Sequence, residues 1–255
     1  MLAGEGGLVA TTQLVAHCLL IEAGGELVLV DTGFGTGDAA DPGRLGRPFR
    51  ALVRPLCDVA ETAVRQIEDL GFDPADVRHV LITHLDLDHA GGLSDFPNAE
   101  VHVFAPELAA ATSPSMRERS RYIGAQWAHG PNWVEHEVDG DSWLGFDSVR
   151  LLPDVDAEIA MVPLVGHTRG HAGIAVNEGD GWLFHCGDAF FHHKEVATPP
   201  SCPPGLRLFQ RLTVVDESRR RHNQERLREL AREHRDDVRL ICSHDPTLLR
   251  SAANH

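Results

Sequence analysis

The chain has 255 residues and a formal charge of −15, from 38 acidic and 23 basic side chains. That length supports one large two-layered domain with a substantial core. The negative balance opposes nucleic acid as a partner, because phosphates would be repelled except at a local basic patch or a bound metal.

At the N-terminus, Met1-Leu2-Ala3-Gly4-Glu5 lacks a basic start and a long apolar region, and no apolar stretch approaches membrane-spanning length. A cytoplasmic protein with no membrane partner is expected. His17-Cys18-Leu19-Leu20-Ile21, a Gly24-Gly25 turn and Leu27-Val28-Leu29-Val30 read as a hairpin leading into Asp31-Thr32-Gly33, where Asp31 is expected to stabilise the turn rather than bind metal. Residues 34–57, rich in Gly and Pro, read as a long loop. Asp58 and Glu61 form a capping pair for a helix over Val59 to Leu70, with Val64, Ile67 and Leu70 on one face and Gly71 ending it.

A strand over Val77 to Thr83 follows, and directly after it His84, Asp86, Asp88 and His89 place four potential metal ligands in six positions. Strand ends that open into loops are where α/β sheets bind their ligands. In near-extended chain His84, Asp86 and Asp88 point to one side, and a turn at Asp88-His89 can divide the donors between two ions. Residues 112–150 carry Tyr122, Trp127, Trp133 and Trp143 with little periodicity, and residues 198–215 form a third irregular connection. Such segments commonly act as lids or binding walls, so substrate specificity is expected there.

Later strand-like runs lead into Val165-Gly166-His167-Thr168-Arg169-Gly170-His171, Phe184-His185-Cys186-Gly187-Asp188, and Leu240-Ile241-Cys242 with His244 behind it. A helix from about Glu217 to Glu233 precedes the last of these strands. Ser243-His244-Asp245 is no serine triad, since adjacent residues cannot line up as nucleophile, base and orienter. Five cysteines without C-x-x-C spacing suggest neither a disulfide framework nor a thiolate zinc site.

The run from His84 to His89 resembles the H-x-H-x-D-H signature of the metallo-β-lactamase superfamily, metal-dependent hydrolases with a four-layer αββα sandwich of the α/β class. Asp86 stands at the middle histidine, and the resemblance runs from about residue 14 to 246. It implies a single domain over residues 1–255, with lid-like insertions near 34–57 and 112–150. It also implies two divalent ions: the first held by His84, Asp86 and His167, the second by Asp88, His89 and His244, with Asp188 bridging. His171 and His185 are expected to orient ligands or to pack. Zinc is the family's usual metal; the extra carboxylate makes iron or manganese the alternative. With three carboxylates and a bridging hydroxide, the paired ions are left neutral, a weaker Lewis acid than the usual signature gives. The competing reading is that Asp86 only hydrogen-bonds a ligand and the first site is weak.

The implied reaction is hydrolysis by a metal-bridging hydroxide attacking a small ester, lactone, thioester or phosphoester, with Asp88 as the catalytic carboxylate that orients the nucleophile and passes a proton to the leaving group. The chain resembles the branch containing N-acyl homoserine lactonases, through its D-x-D-H-A-G-G core and terminal His-Asp. Those lactonases place a tyrosine three residues after the bridging aspartate; here Phe191 stands there, and His192, His193 and Tyr122 are candidate substitutes. The expectation is a hydrolase of a small-molecule ester or lactone, compatible with a homodimer. A di-iron or mono-iron oxidoreductase of the same fold, a non-catalytic binding protein and a phosphodiesterase remain the alternatives.

Overall fold

Gly24 and Gly25, both at positive φ, turn β1 (Leu19–Ala23) back onto β2 (Glu26–Val30), pairing Leu19 with Val30 and Ala23 with Glu26. The structure is a computed structural model that describes residues 13–152 and 155–252; Met1-Leu2-Ala3-Gly4-Glu5, read above for a leader, lies outside the described residues. Two compact units are present, and β1 and β2 open the unit formed by residues 18–136.

In that unit the expected loop at 34–57 contains two short helices, α1 (Thr36–Ala40) and α2 (Arg47–Val53). Its glycines and prolines are helix punctuation: Gly35 and Gly46 occupy N-cap positions and Pro48 lies in the first turn of α2. The helix expected over Val59 to Leu70 is also different. Thr62 is extended, at ψ 146, so α3 runs only over Ala63–Asp69, and Asp58 caps a separate turn by accepting from the Ala60 amide at 3.0 Å. Ile67 is buried as expected, whereas Leu70 is 66% exposed. Next come β3 (Val77–Leu81), β4 (Glu100–Phe104), α4 (Ala105–Thr112) and β5 (Asn132–His136), giving the order β1-β2-β3-β4-β5 with every pair from β2 onward parallel. Leu29, Val80, Val101 and Val103 share a core with Ile67, Ala110 and Ala111, so burying one face of this sheet against α3 and α4 fixes where β3 ends.

The other unit includes residues 137–252 together with 13–17 among the described residues. Its sheet runs β11-β10-β9-β8-β7-β6, built from β6 (Asp141–Trp143), β7 (Phe146–Leu151), β8 (Ile159–Pro163), β9 (Ala172–Asn177), β10 (Trp182–His185) and β11 (Val238–Ile241). Only β10 and β11 pair in parallel. The segment 112–150 is therefore partly strand, supplying β5, β6 and β7, and residues 198–215 contain a helix, α5 (Pro204–Thr213). Asp216 caps α6 (Glu217–Glu233) by accepting from the amides of Ser218 and Arg219, both at 3.0 Å, and Leu227 and Leu230 of α6 pack with Phe184 and Trp143. A short α7 (Pro246–Ala252) closes the described chain. Among the described residues no helix is long and apolar enough to cross a membrane.

Candidate metal centre

The end of β2 organises the loop after β3. Asp31, held at φ 55, accepts from the Thr83 amide and the Thr83 hydroxyl, each at 2.8 Å, and from Nδ1 of His89 at 2.8 Å. It thus orients a proposed ligand, in keeping with its expected turn-stabilising role. These contacts also fix both imidazole tautomers. Since the Thr83 hydroxyl donates to Asp31, it accepts from Nδ1 of His84 at 3.0 Å, and His89 donates its Nδ1 hydrogen to Asp31. Both rings therefore carry their lone pair on Nε2, the form in which imidazole binds a cation. The two rings lie 3.9 Å apart between centroids and are essentially fully buried.

Asp86 is buried beside them, with Oδ2 at 3.5 Å from Nε2 of His84 and Oδ1 at 2.9 Å from Nε of Arg121. Asp88 is more exposed, and its Oδ1 stands 4.0 Å from Nε2 of His89. Three further contacts come from the segment after β4. The buried Glu107 accepts from the Leu85 amide at 2.9 Å, Tyr122 donates its hydroxyl to Glu107 at 3.3 Å, and Gln126 donates to the Leu87 carbonyl at 2.8 Å. Burial and the adjacent Glu107 push the Tyr122 phenol well above its usual range, so it remains a protonated donor. Sequence reasoning missed Arg121, Glu107 and Gln126; the one available signal was the added carboxylate at Asp86, which calls for a nearby cation.

Behind this loop the backbone is interlocked. A Cβ on Gly35 would collide with the Gly91 carbonyl oxygen, and one on Gly91 would meet Asp38 Oδ2 at 2.5 Å and the Gly33 carbonyl oxygen at 2.6 Å. Only glycine permits this approach.

In the other unit, His167, Asp188 and His244 come together from the ends of β8, β10 and β11. The loop bearing His167 is pinned to the start of α6, where the Gly166 carbonyl accepts from the Asp216 amide at 2.9 Å and Asn223 donates to the Val165 carbonyl at 2.8 Å. His171 donates from Nδ1 to the Leu164 carbonyl at 3.1 Å and accepts the Asp188 amide on Nε2 at 2.8 Å, so it positions the backbone of Asp188. His244 donates from Nδ1 to the Val15 carbonyl at 2.7 Å, which places its lone pair on Nε2, 3.1 and 3.3 Å from the two Asp188 oxygens. Nε2 of His167 lies 3.4 Å from Asp188 Oδ2. One carboxylate thus faces two imidazole nitrogens, the arrangement a bridging ligand needs.

Phe191 is buried and stacks on His244 at 5.0 Å between centroids, with His167 at 5.9 Å. His193 is tied to Asp245 through its amide and Nδ1, at 2.7 and 2.8 Å, while Nδ1 of His192 accepts from the Lys194 amide at 3.2 Å. His185 donates to the His17 carbonyl at 2.9 Å, a packing role as expected. Cys18, Cys186 and Cys242 pack in the two cores, and burial pushes their thiols up.

Residues 11–238 match the family model of the metallo-beta-lactamase superfamily. A probable metallo-hydrolase of Mycobacterium tuberculosis is 48% identical over 240 residues, covering 94% of this chain and 77% of that protein. The N-acyl homoserine lactonase AttM of Rhizobium radiobacter is 30% identical over 167 residues, 64% of this chain and 59% of the lactonase. Among solved structures, Bacillus thuringiensis AiiA with N-decanoyl-L-homoserine bound at the active site matches with a TM-score of 0.67 at 19% identity, over 93% of this chain and 84% of that one. At that identity the likeness shows the fold alone. A family pattern spanning nearly the whole sequence, a relative at almost half identity and a shared architecture leave one conclusion: the chain belongs to the metallo-β-lactamase superfamily of metal-dependent hydrolases and carries its αββα fold.

Proposed function

We propose that this protein hydrolyses small esters or lactones with a dinuclear metal centre. The ligands this reading assigns are His84, Asp86, Asp88, His89, His167, Asp188 and His244. The observation that carries the reading is the fixing of His84, His89 and His244 in the Nε2-ligating tautomer by Thr83, Asp31 and the Val15 carbonyl. Four imidazoles and three carboxylates suit zinc, with iron or manganese as the alternatives. When bound, the ions supply Lewis acidity and a water nucleophile near neutral pH.

The chain's own residues do the rest. Asp88, the most exposed of the three carboxylates, orients the water and carries a proton to the leaving oxygen. Arg121 pairs with Asp86 and supplies one positive charge, offsetting the carboxylate that replaces the usual middle histidine. Phe191 has no hydroxyl, so it presents an apolar wall beside His167 and His244 rather than a hydrogen bond to a substrate carbonyl. Leu56 and Met116, at 80 and 79% exposure, lie in the segments expected from the sequence to act as binding walls and are the first positions at which to vary substrate preference.

The lactonase names of the relatives make lactones the first compounds to test. The decisive experiment is elemental analysis of protein purified without oxygen, followed by a panel of lactones, aryl esters, thioesters and phosphodiesters. Zinc or manganese with lactone or ester turnover is expected; two irons with oxygen consumption, or turnover of phosphodiesters only, would overturn the proposal.

A further inference from the structure

A second group of donors sits on the strands of the first sheet rather than in the loops beyond them. His79 of β3 pairs in register with Glu100 of β4, and His102 lies two residues further along β4, so all three project from the same face. Nδ1 of His79 and Nε2 of His102 are 3.1 Å apart, and one oxygen of Glu100 lies 3.7 Å from the first and 3.9 Å from the second. Ligand atoms around a tetrahedral zinc at about 2.0–2.2 Å stand roughly 3.4 Å apart, so this triangle has the dimensions of a coordination face.

The remaining ring nitrogens are also provided for. Nδ1 of His102 contacts Nε2 of His136 on β5 at 2.9 Å, and Nε2 of His79 lies 3.7 Å from the Glu26 carboxylate on β2. Metal-binding histidines give the hydrogen of their second nitrogen to an acceptor that sets the tautomer; His136 lies at hydrogen-bond distance from His102, whereas Glu26 is near enough to His79 for charge attraction only. In the tautomers with the His102 hydrogen on Nδ1, facing His136, and the His79 hydrogen on Nε2, facing Glu26, two imidazole lone pairs and one carboxylate converge on a single point. A cation there removes the repulsion between them.

We propose that His79, His102 and Glu100 bind a third divalent cation, zinc by its donor set, with Glu26 and His136 as the supporting groups. The ion clips β3 to β4 and leaves a fourth position for water, a structural site separate from the hydrolytic ligands.

The test compares wild type with His79→Gln and Glu100→Gln, each purified as holoenzyme and dialysed against zinc chloride. Wild type should retain one more zinc per chain than either variant, and its unfolding midpoint should rise with added zinc while the variants' midpoints do not. Ester turnover should be unchanged in the variants. Equal zinc content in wild type and a folded variant would overturn the site. Glu100→Gln alters a half-exposed side chain and keeps the comparison decisive if His79→Gln fails to fold. Loss of turnover in all three proteins would count against the hydrolase reading and leave the zinc count intact.

Discussion

The guanidinium of Arg121 holds one oxygen of Asp86 at 2.9 Å, while the other oxygen lies 3.5 Å from Nε2 of His84. Asp86 is thereby aimed with a single oxygen at the proposed first metal, and its added negative charge is matched locally. Arg121→Met should lower kcat roughly 10–100-fold, the usual effect of losing a group that supports a ligand. Arg121→Lys should recover part of that loss by restoring the charge. Chelator competition should show weaker retention of one metal in the Met variant; unchanged kcat and metal retention would reduce the pair to a structural contact.

Asp86→His restores the usual signature. The fold should persist and the metal preference should shift toward zinc, because an imidazole replaces a hard oxygen donor. Growth in mixed metals followed by elemental analysis reads the shift directly. Identical metal content in both proteins would mean that Asp86 is not a ligand.

Asp188→Ala removes the carboxylate that faces both His167 and His244. Since one group serves both proposed ions, the variant should lose bound metal and all measurable turnover. Two tightly held ions in the purified variant would contradict the bridging assignment.

Asp31→Ala deletes one buried carboxylate and with it three hydrogen bonds, to the Thr83 amide, the Thr83 hydroxyl and His89. Stability should fall by about 3 kcal/mol or more in denaturant unfolding, because buried donors are left without their charged acceptor. Metal affinity should fall too, since the tautomers of His84 and His89 are no longer fixed. A change below about 0.5 kcal/mol, the range of ordinary surface substitutions, would show that other groups hold the loop.

The ends of the strands that carry the candidate donors were legible in the sequence because each follows a short apolar run, and a strand's register fixes where its last residue emerges. Val80-Leu81-Ile82 before His84 and Leu240-Ile241-Cys242 before His244 are clear cases. The helix from Glu217 to Glu233 was equally plain, with Asp216 at its cap and buried leucines at helical spacing. What could not be read depends on contacts distant in sequence. Arg121, Glu107 and Gln126 reach the ligand loop from a stretch without periodicity, and no local pattern reveals that Gln126 meets the Leu87 carbonyl. The glycines and prolines of 34–57 suggested a loop because the same residues that break elements also begin them. The early start given to α3 had a different cause: Asp58 and Glu61 have cap chemistry, but the extended Thr62 separates their turn from the helix.

The approach of Gly35 to Gly91 also bears on how this enzyme can diversify. With less than van der Waals room for even a methyl group at either position, the floor beneath His84 to His89 has almost no substitutions open to it. Variation is therefore easier to accommodate away from this floor, at exposed positions such as Leu56 and Met116, than in the stretch from Arg121 to Gln126, whose side chains hold the ligand loop.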